Sequence, residues 1–108
     1  MENINIDDFK KVEIRIGKVV ECVKMENADK LLKLQVDFGE FKRQILSAIA
    51  EYFTPEDLIG KKLPFIVNLE PRVMRGEESQ GMLMAVDGVD KPVLLEPQGE
   101  VAEGSIVV

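Results

Sequence analysis

The sequence contains no histidine and no tryptophan, one cysteine (Cys22) and one tyrosine (Tyr52) among its 108 residues. Without histidine there is no Ser-His or Cys-His pair, the commonest general acid-base group is missing, and so is the commonest metal ligand. Ser47 and Ser79 have no visible base, and no pair of the 20 acidic residues stands out from a solvated surface, which argues against an enzyme. A zinc site has no ligands to draw on. Magnesium held by carboxylates is the one metal arrangement the composition leaves open, and the expectation is no metal and no cofactor. A lone cysteine cannot form an internal disulfide, as suits a reducing compartment. No apolar run approaches the length of a membrane span, and the first residues (MENINIDD) are acidic where a signal peptide is basic and then apolar. The expectation is therefore a cytoplasmic protein with no membrane partner, formed as a single domain over residues 1–108.

A net charge of −6 speaks at first against a nucleic-acid partner, yet the charge is unevenly placed. Residues 10–43 and 61–76 each sum to +3, whereas residues 77–108 sum to −6. A locally positive face on a negative protein is therefore possible.

Along the chain, Ile4, Ile6 and Phe9 around Asp7-Asp8 read as a short helical turn capped by aspartate. From Val12 the residues Val12, Ile14, Ile16, Val20 and Cys22 alternate as one apolar face of a long strand, with Gly17 as a bend or bulge. Cys22 falls on the apolar side as a core residue. After the turn at Asn27-Ala28-Asp29, Leu32, Leu34, Val36 and Phe38 form a second alternating strand. Gly39-Glu40 fits a hairpin turn with glycine first, leading into a third strand over residues 42–49. Thr54-Pro55-Glu56-Asp57 is a helix start, with Leu58 and Ile59 facing inward and Gly60 ending it. The runs at 63–69 and 81–86 are a fourth and a fifth strand, joined by the polar connection NLEPRVMRGEESQGM, and two short apolar pieces follow. Spacing alone leaves that connection either a binding loop or plain punctuation. The pattern predicts an all-β, five-stranded OB-fold barrel with a short helix between strands 3 and 4 and a C-terminal extension.

The runs DFKKVEIRIGKV from Asp8, NADKLLKLQVDFG from Asn27, RQILSAI from Arg43, PEDLIGKK from Pro55 and NLEPRVMRGEESQGMLMA from Asn68 resemble the tRNA-binding domain family. That family includes the C-terminal domain of methionyl-tRNA synthetases and stand-alone structure-specific tRNA-binding proteins. The resemblance covers the chain nearly end to end, and the ESQGM run is its most specific part. It implies non-catalytic binding of tRNA by shape, without DNA, by a homodimer whose interface uses residues 1–11 and 87–108. It further implies tRNA contacts from Lys30, Lys33, Arg43, Asn68, Arg72, Arg75, Ser79, Gln80 and Met82, and the catalytic part of methionyl-tRNA synthetase as a partner. Met25-Glu26 stand where the family often has His-Pro, Ala48 stands where it often reads SGI, and Glu70 and Val73 replace lysines. The last change implies a weaker grip on phosphate or a shift toward another partner. A protein-interaction subunit and a chaperone-like OB dimer are the alternative readings. Against the chaperone branch, which shares the DFxKVxIRVG-like opening, stands the ESQGM run.

Overall fold

A computed structural model describes residues 1–108. Three antiparallel strands, β1 (Ile14–Lys24), β2 (Leu32–Asp37) and β3 (Lys42–Ser47), form a meander. Strand β4 (Lys62–Ile66) returns antiparallel along the first half of β1, from Ile14↔Ile66 to Lys18↔Lys62, and β7 (Met82–Leu83) pairs with β4. The five strands lie in the order β3-β2-β1-β4-β7 and curl into a nearly closed antiparallel barrel. β1 serves two neighbours in succession because its register with β2 shifts between Val19 and Glu21, a bulge that sharpens the local twist.

The bulge also corrects the expected facing of β1. Val20 is exposed, and the main core takes Val19 and Cys22 from this strand. Ile14 and Ile16 are buried outside that core, and Ile16 lines a hollow with Pro64, Leu95 and Ile106. Gly17 is not the bulge itself: a Cβ there would sit 2.4 Å from Val36 Cγ1 and 2.6 Å from the Phe38 ring. Phe38 is central to the core, edge-on to Phe65 with ring centroids 5.6 Å apart.

The β2–β3 turn has Gly39 at φ 87°, as the glycine-first pattern predicts, with the Asp37 carboxylate accepting the Gly39 N–H at 2.8 Å. Helix α2 (Pro55–Leu58) lies between β3 and β4. Asp57 accepts the Thr54 N–H at 2.9 Å, Leu58 is fully buried, and Gly60 leaves the helix at φ 88°. Ile59 is exposed rather than inward, because the helix ends before its face can turn to the core. In helix α1 (Ile6–Phe9) the cap is Asn5, whose side chain accepts the Asp8 N–H at 2.8 Å, and the aspartates occupy the first turn instead.

Strand five is shorter than expected. It divides into β7 and β8 (Ala85–Val86), the latter paired with β9 (Val93–Leu94). The C-terminal segment then covers the edge of β1 that β2 does not reach: Ile16 N–H donates to Ser105 O at 2.9 Å and Val107 N–H to Ile14 O at 2.9 Å.

Two outcomes follow from this packing. Gly17→Ala is expected to cost about 1–3 kcal/mol in urea unfolding, and a midpoint equal to wild type contradicts the packing of Phe38 against β1. Burial, assisted by Glu56, raises the Cys22 thiol from 9.0 to about 11. The neutral thiol is thus favoured in the folded state, so its stabilisation is complete below pH 9.0 and is lost as pH rises through about 11. Native protein should resist iodoacetamide at pH 8 and label readily in urea; rapid native labelling contradicts this.

Candidate nucleic-acid interface

The polar connection between β4 and β7 is not an open loop. It folds into a hairpin, β5 (Arg72–Met74) against β6 (Glu77–Ser79), with Met74 opposite Glu77. Arg75 (φ 52°) and Gly76 (φ 82°) form its two-residue turn, the doubly positive conformation that suits the twist of paired strands. Glycine signals half of that turn; an arginine at positive φ does not announce the other half. Met74 packs on a small apolar cluster of Met25, Ala28, Leu31 and Leu46, which joins the hairpin to the β1–β2 turn.

The hairpin is held to β3 by side chains that the sequence presents only as polar. Ser79, 3% exposed, accepts the Leu46 N–H at 3.0 Å and donates to Gly81 O at 3.1 Å. The Gln80 N–H donates to Gln44 O at 2.7 Å, and its side-chain oxygen accepts the Gln44 N–H at 3.0 Å. The Gln44 amide nitrogen donates to Glu77 Oε1 at 3.1 Å and to Glu78 O at 2.9 Å, while Gln44 Oε1 accepts from Gln35 at 3.0 Å. Arg43 donates to Val67 O at 3.0 Å and to Gln80 O at 3.1 Å, and lies over the Phe41 ring at 4.9 Å. Asn68 accepts the Glu13 N–H at 2.8 Å and donates to Lys11 O, tying the N-terminal segment to the end of β4. These four candidates, Arg43, Asn68, Ser79 and Gln80, therefore hold the framework together.

The remaining candidates surround three adjoining hollows. Arg72 and Met82, with Ser79 at the back, line one of about 580 Å³ floored by Leu31, Leu46 and Met74. Lys30 and Arg75 line a second of about 440 Å³ at the β1–β2 turn, and Lys33 and Arg75 a third of about 410 Å³. Lys30 lies 3.7 Å from Glu51 and Lys33 lies 3.8 Å from Glu77. Arg72 and Arg75 form no salt bridge. Sequence reasoning missed Gln44 and Glu77, whose only signal is a glutamine opposite Gln35 in the strand pair. Val73, at a usual lysine position, is exposed on the hairpin, and Glu70 lines the first hollow. No group of three or more Cys, Asp or Glu side chains is arranged to hold a metal.

Ser79→Ala is expected to cost about 1–3 kcal/mol by orphaning the buried Leu46 N–H, whereas Arg72→Ala, on the surface, should stay within about 0.5 kcal/mol of wild type. Urea unfolding checks both, and a neutral Ser79→Ala contradicts the anchoring of the hairpin to β3 through Ser79.

Residues 14–106 match the family model described as "Putative tRNA binding domain". Over 105 residues the chain is 51% identical to the methionine–tRNA ligase of Chlorobaculum tepidum, covering 96% of this chain. The chain spans 15% of the length of that ligase. Among solved structures, a MetRS related protein from Pyrococcus horikoshii is similar at TM-score 0.95 and 41% identity, with both chains fully covered. The chaperone CsaA of Bacillus anthracis is similar at TM-score 0.88 and 29% identity, covering 99% of this chain and 100% of the other.

Proposed function

Since the chain belongs to the tRNA-binding domain family, we propose that it is a non-catalytic module that binds tRNA by its folded shape. It acts as a homodimer in the cytoplasm, either alone or as the C-terminal domain of a methionyl-tRNA synthetase whose catalytic part it helps to capture tRNA. The observation that carries this reading is the grouping of Lys30, Lys33, Arg72 and Arg75 around the hairpin and the β1–β2 turn. These four cations, with Met82, meet the RNA directly. Arg43, Asn68, Ser79 and Gln80 act by keeping the hairpin and its strand ends in place. No aromatic ring lines the three hollows, which favours grip on phosphate and sugar over stacking of unpaired bases.

The homodimer reading is supported by apolar surface at both termini. Helix α1 buries none of its own residues, Ile4, Ile6 and Phe9 are exposed, and so are Val93, Ile106 and Val107. A four-residue helix is too short to persist without packing, and a second copy supplies it. A chaperone-like dimer is the second reading, favoured by the likeness to CsaA and by the apolar floor of the largest hollow.

The test is an equilibrium titration with folded tRNA, unstructured RNA of equal length and duplex DNA at two salt concentrations, repeated with Arg72→Ala. Folded tRNA is expected to bind best, with log affinity falling by roughly 0.7–0.9 per phosphate contact for each decade of salt, and Arg72→Ala to weaken it. Equal, weak binding of all three ligands overturns the tRNA reading; capture of unfolded polypeptide without salt-sensitive RNA binding installs the chaperone reading. Light scattering should give twice the mass of one chain, and a monomeric mass at working concentration removes the dimer.

A further inference from the structure

The hollow of about 410 Å³ beneath the hairpin brings Lys24, Lys33 and Arg75 together with two carboxylates, Glu26 and Glu77. Lys24 and Arg75 form no salt bridge. Glu77 does: one carboxylate oxygen lies 3.8 Å from Lys33 Nζ, while the other accepts the Gln44 amide at 3.1 Å. An oxyanion held between a neutral amide donor and a lysine, with two further cations bordering the same space, has the surroundings in which a phosphodiester is bound.

We propose that this hollow is a phosphate subsite, with Lys24, Lys33 and Arg75 as its cations and the carboxylate of Glu77 as a competitor built into the chain. A backbone phosphate entering the hollow takes Lys33 from Glu77. The exchange is easy, because both side chains are partly exposed, Lys33 at 29% and Glu77 at 40%, and an ion pair so placed is weak. Glu77 therefore sets how strongly the hollow attracts phosphate without blocking it. Gln44, which also grips the backbone of Glu78 at 2.9 Å, keeps the competitor in position. The subsite deepens the tRNA reading and rests on it for its biological ligand, but inorganic tripolyphosphate probes it independently.

Glu77→Gln removes the charge and keeps an oxygen for the Gln44 amide, so the hairpin remains anchored. Lys24→Ala removes one exposed cation. In salt-dependent titrations with folded tRNA, Glu77→Gln is expected to tighten binding by about two- to fivefold and to steepen the salt slope by roughly 0.7–0.9. Lys24→Ala is expected to weaken binding and flatten the slope by a similar amount. Calorimetry with tripolyphosphate should rank the proteins in the same order: Glu77→Gln, wild type, Lys24→Ala. If tRNA binds wild type but neither variant changes affinity or slope, or Glu77→Gln binds more weakly, the subsite is overturned while the tRNA reading stands. If tripolyphosphate follows the expected order and tRNA binds none of the three, the subsite stands and the tRNA reading falls.

Discussion

The structure depends on how the free edge of β3 is satisfied. In the order β3-β2-β1-β4-β7, the barrel closes only if the outer edge of β3 meets the segment around β7, and β7 is two residues long. That is too short to pair the whole edge, and unpaired backbone groups there would carry a desolvation cost. Ser79 and Gln80 meet the need, with a hydroxyl for the Leu46 N–H and an amide oxygen for the Gln44 N–H. Ser79 ends β6 and Gln80 follows it directly, so the bonds that close the barrel also fix the hairpin. Arg72 and Arg75 inherit their positions from this closure.

The same arrangement leaves an acidic protein with one face that keeps its cations. The negative charge of residues 77–108 is carried largely past the barrel, where Glu96, Glu100 and Glu103 meet Lys61 and Lys62. The hairpin and the β1–β2 turn keep their cations: Arg72 and Arg75 are unpaired, Lys30 is in an exposed ion pair and Lys33 in a partly exposed one, both of which a phosphate can exchange. Local geometry, rather than net charge, governs what this face attracts.

Much of the fold was legible because it rests on local rules. The alternation of β2, the Gly39 turn and the Thr54-Pro55 helix start each reflect a short-range preference, and each appears where the residues place it. The facing of β1 was legible at Cys22 but not at Val19 and Val20, where the register with β2 shifts and the cause lies in that pairing rather than in the local sequence. The hairpin was hidden for a different reason: Arg75 sits at positive φ without a local signal, and the bonds of Gln44 to Glu78 and Gln80 that anchor the hairpin span more than thirty residues of chain. The grouping of cations was legible in part. Lys30, Lys33, Arg72 and Arg75 were visible as cations, but polarity alone does not tell an inward hydrogen bond from an outward one, so Ser79 and Gln80 could not be recognised as the closure.

The proposed tRNA-binding face is tested most directly by an amide chemical-shift map of labelled protein titrated with folded tRNA. The largest changes should fall on residues 24–33, on the hairpin from Arg72 to Ser79 and on Met82, with residues 93–108 little affected. Changes centred on the C-terminal segment, with the hairpin silent, would contradict it.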